Sequence, residues 1–278
     1  MKRLIIPVLC LMTACSPEQD AGVVEPSPEG YQRIISMDYC ADQYVLALAE
    51  REDILALSPD ADKKFSYLRD QAEGIPQIRP VAESVLAAQP DLIVRSYGGG
   101  PLAPRFFSQA GIDVVQIGWT SDFESIRTVT RDIAAQMGVS ERGEELIAAF
   151  DARLAAINPR YDDQNVLYVT PGGVTSGPNG LINDAFETAG LTNYETRAGW
   201  HDLPLEQIAT DAPDVLAVAF YDSIHQNPSI WSPSHHPVTL NALETAETVP
   251  LDASWTSCGA WYLIDAIEAL AASGSEAS

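Results

Sequence analysis

The chain is poor in positive charge, in cysteine and in histidine, and beyond its first residues it has no long apolar run. Only 16 Lys and Arg stand against 39 Asp and Glu, a formal net charge of −23 at pH 7. A surface of that sign repels phosphate backbones, so nucleic-acid binding is set aside; it suits solubility and docking to a basic partner. The four histidines, His201, His225, His235 and His236, all fall late in the chain, without the tight spacing of zinc ligands, and no metal site is assigned to them. No G-x-S-x-G, H-E-x-x-H or Walker pattern occurs. Gly98, Gly100 and Ala103 weakly imitate a dinucleotide fingerprint, but no convincing acidic partner follows at the end of the next strand. The chain therefore reads as a non-enzyme.

The one apolar run lies in "MKRLIIPVLCLMTAC", after a basic start at Lys2 and Arg3. It is too short to span a bilayer and reads as an export signal, residues 1–15. Its ending, "LMTAC", is similar to the lipobox of bacterial lipoproteins, which implies lipidation of Cys15; an ordinary signal peptide cut nearby is the alternative. Residues 16–30, polar and Pro-bearing with no periodicity, read as a flexible tether. The expected location is periplasmic, with a lipid as the only link to a bacterial membrane.

From Tyr31 onward, strand and helix alternate. "YQRIIS", "DILALSP", "DLIVRSY" and "IDVVQIG" are strands, with helices over "ADQYVLALAE", "IRPVAESVLAAQ" and "GGGPLAPRFFSQAG". From Phe123 to Ile157 no strand signal appears, and Leu146, Ile147, Phe150, Leu154 and Ile157 form one helical stripe that Pro159 stops. Alternation then resumes through "NVLYVT", "LINDAFETAG", "PLEQIATDA", "DVLAVAF", "HPVTLNALETA", "TVPLD" and "AWYLIDAIEALAA". This predicts an α/β fold: two three-layer lobes with mainly parallel sheets, residues 31–137 and 161–278, joined by a long helix within 138–160. A cleft between lobes is the expected ligand site.

Cys10 lies in the signal, which leaves Cys40 and Cys258 near opposite ends of the folded part. In an oxidising compartment an isolated pair suggests a disulfide, which would staple lobe to lobe. Free thiols beside the ligand, soft ligands for a metal, and simple burial are the other readings, and sequence does not show that the two residues meet.

One phrase occurs in both lobes. "ESVLAAQPDLIV" begins at Glu83 and "EQIATDAPDVLAV" at Glu206; in each, Pro-Asp follows seven positions after the Glu and opens an apolar run. With "RIISMDYCADQYVLAL", "AGIDVVQIG" and "LINDAFETAGLTNY" in the same order, the chain from 31 to 272 resembles the helix-linked class of bacterial solute-binding proteins. The resemblance implies two rigid lobes that clamp a ferric siderophore, cobalamin or haem and present it to an ABC permease with its ATPase. The protein would be a monomer with no permanently bound cofactor.

Ferric-hydroxamate binders resemble three local stretches, which implies ligand contacts for Arg79, for Tyr97 in "SYGGGP" and for Trp200 in "AGWHDLPLEQI". The terminal "ASWTSCGAWYL" adds Trp255 and Trp261. Arginine offers a planar fork to chelate oxygens, and aromatic rings pack on a ligand's carbon skeleton. Arg95 and Tyr39, near the ends of early strands, join the candidates, as does Asp42 more weakly; Arg95 could equally be a paired structural group. The expected ligand is a ferric siderophore, with cobalamin and then haem as alternatives, since cobalamin asks for less charge and more flat aromatic surface. Glu83 and Glu206 suit the positive end of a helix, and the resemblance implies that each also docks the permease.

Overall fold

The computed structural model describes residues 30–159, 161, 163–219 and 232–273. The export signal, Cys10, Cys15, the tether to residue 29 and His225 lie outside them.

The first lobe is built on four parallel strands, β1 (Ile34–Ser36), β2 (Ile54–Ala56), β3 (Leu92–Arg95) and β4 (Asp113–Gln116), in the order β2-β1-β3-β4. Its helices are α1 (Tyr39–Leu48), α2 (Ala82–Ala88) and α3 (Ala103–Gln109). The strands are apolar throughout because both faces are covered. Ile34, Leu92, Val94 and Val115 enter one core, while Ile35, Ile93 and Val114 enter the core on the opposite face.

The second lobe uses β5 (Asn165–Val169), β7 (Thr192–Asn193), β9 (Val215–Ala219) and β10 (Glu247–Leu251), all parallel, in the order β10-β9-β5-β7. Counted by position, this is the same order as in the first sheet. Beside it lies a small antiparallel ribbon, β6 (Val174–Ser176) with β8 (Trp200–Asp202). The helices are α6 (Leu181–Ala189), α7 (Leu205–Thr210), α8 (Pro237–Thr245) and α9 (Ile264–Ser273). Val166, Tyr168, Val215 and Ala217 face one core, and Leu167, Val169, Leu216 and Val218 face the other.

The repeated phrase now has a structural account. In each lobe it is the short helix and the third strand, α2–β3 and α7–β9. Its aspartate clips that strand to the start of the first strand. Asp91 accepts from the amides of Gln32 and Arg33 at 2.9 and 3.0 Å, and Asp214 accepts from Asn165 at 2.9 Å.

Two helices connect the lobes, α4 (Phe123–Gln136) and α5 (Ser140–Ala156), which pack along each other. Asp122 and Ser125 close a capping box on α4. α5 begins at Ser140, and the cap at Val139 makes no side-chain bond. Each helix serves both lobes. Val129 and Ile133 of α4 enter the first lobe's core, and Phe123 and Ile126 the second's. Leu146 of α5 packs on the first core, and Phe150 and Leu154 on the second.

A third crossing follows β10. Ala260 and Tyr262 are buried in the first lobe's core, and Leu263 and Ile264 in the second's. Tyr262 stacks on Tyr67 with ring centroids 4.4 Å apart, and Trp261 meets Tyr44 edge to face at 5.0 Å. Cys40 at the start of α1 and Cys258 in this segment are joined as a disulfide, with Cα atoms 5.9 Å apart. Among the described residues no helix is long and apolar enough to cross a membrane.

Candidate functional site

In a parallel sheet the loops at the carboxyl ends of the strands open a crevice. Here those loops meet across the two lobes around a cleft of about 660 Å³. The first lobe contributes Tyr39, Ser96, Tyr97 and the turn 117–121; the second contributes Ser176, the 179–182 turn and Trp200. The disulfide borders the same space, together with Thr256, Ser257 and Gly259 of the crossing segment. Among the described residues, no Asp, Glu, Lys, Arg or His borders it. A smaller hollow of about 370 Å³ lies near the amino end of β1, where the Arg142 guanidinium closes onto Glu50.

The first-lobe wall is organised by one buried carboxylate. Asp38, only 3% exposed, caps α1 through Ala41 N at 3.0 Å. It also accepts from the amides of Ser96, Tyr97 and Gly98 at 2.8–3.0 Å and from the Ser96 hydroxyl at 2.7 Å. The glycine-rich turn after β3 thus wraps a carboxylate of the protein itself, and the amides that a bound phosphate would need are already occupied. This removes the physical basis of the dinucleotide resemblance at Gly98, Gly100 and Ala103. Gly98 is required there, because a Cβ would lie 2.3 Å from the Met37 carbonyl oxygen.

Tyr39 and Tyr97 stand over this loop with ring centroids 6.0 Å apart, and the Tyr39 hydroxyl donates to the Ser257 carbonyl at 3.3 Å. Burial first, then the charge of Asp38, raises the Tyr39 phenol above its usual value. Tyr97 is raised further, by desolvation, then by Tyr39 and by Asp38. Both phenols are therefore protonated at neutral pH.

The other expected contacts separate. Trp200 borders the cleft from β8 and is 56% exposed, with its ring edge-on to Tyr168 at 6.1 Å. Trp255 and Trp261 do not border it; both are half-buried against the second core, and Trp261 also packs on the first. Arg79 is exposed on the turn before α2 and is not among the residues that border the cleft. Arg95 is buried, and its guanidinium donates to the carbonyls of Gly98 at 2.7 Å and Gly100 at 3.0 Å and to Gln116. It holds the loop from beneath, with one N–H of each guanidinium nitrogen engaged. Asp42 is fully buried, bonded to the Ser58 amide at 2.9 Å and hydroxyl at 2.6 Å.

Glu83 and Glu206 are both exposed, in the first turns of α2 and α7. Each helix returns to the start of a parallel strand, so its own first turn lies at the carboxyl edge, the edge that carries the cleft. Of the histidines, His236 accepts from Val238 N and caps α8, His235 meets the Ser234 hydroxyl, and His201 bonds the Ala198 carbonyl. No group of three or more His, Cys, Asp or Glu side chains suited to a metal occurs among the described residues.

Two features were not singled out from sequence. Asp38 carried a local signal, an N-cap position just after a strand. Trp119, 85% exposed on the cleft border, follows β4 in a Gly-Trp-Thr turn, a position open to the same strand-end argument as Tyr97.

Two α/β lobes of one topology, linked by helices and enclosing a cleft at their strand ends, define a two-lobe binding protein. Comparison with known families gives the particular one: residues 36–226 match the periplasmic binding protein family, and the chain belongs to it. A cobalamin-binding protein of Halobacterium salinarum is 24% identical over 200 residues, covering 66% of this chain and 53% of the relative. The chain thus spans about half the length of the curated relatives it matches. Among solved structures, a periplasmic haem-binding protein of Roseiflexus sp. RS-1 superimposes with a TM-score of 0.67 at 20% identity, covering 88% of this chain and 100% of that one. The periplasmic vitamin B12 binding protein of Vibrio cholerae gives 0.60 at 17%, covering 88% and 97%. An Fe3+-hydroxamate transport system protein of Saccharomonospora viridis gives 0.64 at 18%, covering 88% and 93%. These structural likenesses speak to the fold.

Proposed function

We propose that this protein is the substrate receptor of an ABC importer, and that its cleft takes a bulky, flat, largely uncharged metal chelate of the corrinoid class. One observation carries the ligand class: the described border of the cleft is aromatic and hydroxyl-bearing and holds no charged side chain. A corrinoid offers a broad ring edged with neutral amides. Ring faces suit Tyr97 and Trp200, and amides suit hydroxyls such as Ser96 and Ser121. The curated relatives named as cobalamin-binding support this order.

The ferric siderophore reading stands behind the corrinoid one because Arg79 does not border the described cleft and Arg95 is buried beneath its loop. A neutral ferric hydroxamate is the second reading, favoured by the protonated phenol of Tyr97 on the cleft border, which can donate to a hydroxamate oxygen. Haem comes third, because its two carboxylates ask for basic partners.

Delivery completes the role. The protein works in the periplasm as a monomer, with a lipid on Cys15 holding it to a membrane. Glu83 and Glu206 meet basic pockets on the permease, and ATP is hydrolysed by the partner ATPase. Titration with cyanocobalamin, a ferric hydroxamate, a ferric catecholate and haemin, followed by tryptophan fluorescence, tests the ligand. Strong quenching by cyanocobalamin is expected. A response to the hydroxamate alone reverses the order of the two readings, and no response to any of the four refutes chelate capture.

A further inference from the structure

We infer that Asp38 and Asp42 hold one proton between them, and that Asp42, by carrying it, is a positioning residue for the Ser96–Gly98 loop of the cleft wall. The loop is held while Asp42 is protonated and loosens when Asp42 ionises. The two carboxyls stand four positions apart at the start of α1, on its inner side, and are only 3% and 0% exposed. Residues so spaced face each other along a helix, with Cβ atoms about 5–6 Å apart, and like charges there oppose each other. Burial removes the water and salt that would screen them.

Hydrogen bonds decide which of the two takes the proton. Asp38 accepts from the amides of Ala41, Ser96, Tyr97 and Gly98 and from the Ser96 hydroxyl. Every one of these partners is a donor, so a proton on Asp38 would point at another proton. Asp42 has a single residue bonded to its oxygens, Ser58, through its amide and hydroxyl. Burial, opposed by those bonds, raises Asp42 to about 6, so the proton is exchanged near neutral pH.

The groups facing the pair do not supply another site for this proton. Tyr39 on α1 and Tyr97 beyond β3 are protonated across the same range. Arg95 faces Asp38, with its guanidinium bonded to Gly98, Gly100 and Gln116. Asp60, past β2, is partly exposed and reaches the pair through its amide on the Ser58 hydroxyl at 3.1 Å. When Asp42 ionises, a second buried charge is set against Asp38. The repulsion falls on the contact between α1 and the β3 loop, because Asp38 itself makes that contact. Tyr39, Ser96 and Tyr97 border the cleft, so the wall follows the proton.

The test compares wild type with Asp42→Asn, which is neutral at every pH, and with Ser58→Ala, which removes a bond favouring the ionised form. Hydrogen exchange of segment 95–99 is followed by mass spectrometry from about pH 5 to about pH 8, normalised to the intrinsic amide rate. Normalised exchange of wild type should rise at least about fivefold across that range and that of Asp42→Asn should stay flat. The wild-type midpoint should lie near pH 6, and Ser58→Ala should move it upward. A flat wild-type profile overturns the proposal. So does a midpoint that Ser58→Ala leaves in place, and this comparison decides even if Asp42→Asn fails to fold. Neither measurement involves a ligand. A further arm rests on the corrinoid reading: cyanocobalamin affinity should fall at least about fivefold from pH 5 to pH 8 for wild type and stay within about twofold for Asp42→Asn. Affinity that is equally flat in both overturns the role in the cleft, whereas a protein that ignores cyanocobalamin overturns the ligand reading and leaves the loop result to decide the proton.

Discussion

Replacing both cysteines of the Cys40–Cys258 disulfide with alanine should destabilise the protein more than any single core truncation. The bond joins residues 218 positions apart, so it encloses most of the folded chain. In the chain-entropy account, a loop of that length restricts the unfolded state by roughly 5 kcal/mol. The native contacts it accompanies, Tyr262 on Tyr67 and Trp261 on Tyr44, remain in the variant and do not offset that term, since they exist with or without the bond. For a chain of this size about 1 kcal/mol moves the melting temperature by ~2–4 °C, so a drop of roughly 10–20 °C is expected. Near-ultraviolet circular dichroism during heating measures it, with oxidised wild type, wild type in dithiothreitol and Cys40→Ala/Cys258→Ala compared side by side. The same variant should bind ligand more weakly, because the bond borders the cleft. A double variant that melts within about 3 °C of oxidised wild type would refute the reasoning. It would mean that the unfolded chain is already compact, or that the crossing segment holds without the bond.

Three further outcomes are expected. Glu83→Lys/Glu206→Lys leaves ligand affinity unchanged but abolishes uptake in cells or proteoliposomes carrying the cognate permease; normal uptake would sink the docking role. Burial raises Asp42 from the usual 3.8 to about 6, against the opposing bonds from Ser58. The folded state therefore keeps this proton where the unfolded chain has lost it. The stability this lends is full below about pH 4 and falls away as pH rises to about 6, a change on the order of 3 kcal/mol. Asp42→Asn should thus gain on wild type at pH 7 relative to pH 4 in urea unfolding, and an equal difference at both pH values would contradict the account. Asp38→Ala strands the buried amides of Ala41 and Gly98 and the part-buried amides of Ser96 and Tyr97 and should cost roughly 3–5 kcal/mol, with Asp38→Asn less damaging. If guanidinium midpoints show the alanine variant near wild type, the carboxylate does not organise the loop.

Much of the fold was legible in sequence, because the strongest local signals coincide with it. Runs such as Leu92–Val94 and Val215–Ala219 are apolar at every position, as strands covered on both faces must be. The repeated Glu-to-Pro-Asp phrase marked the same helix–strand unit in each lobe. The β6–β8 ribbon escaped, since three-residue strands carrying Thr, Ser, His and Asp have no periodicity to read. So did the second use of α4 and α5, whose apolar stripes show that each is covered but not by which lobe.

The site was less legible than the fold. Tyr97 and Trp200, expected as ligand contacts, stand on the cleft border, whereas Arg95 is buried and Trp255 and Trp261 are half-buried against the cores although their local sequence looks the same. What separates them is contact with chain far away. Gln116 on the neighbouring strand and the Gly98 and Gly100 carbonyls engage Arg95, and Tyr44 and Tyr262 take Trp261. Sequence by itself determined the alternation of strand and helix, the two lobes and the acid at the head of each repeated unit, since these follow from local propensity and the period of burial. Only the tertiary structure decided which aromatics remain open, that the described residues of the cleft border are uncharged, and that Cys40 meets Cys258. Those outcomes depend on how three separate crossings bring distant segments together, and no local pattern encodes that distance.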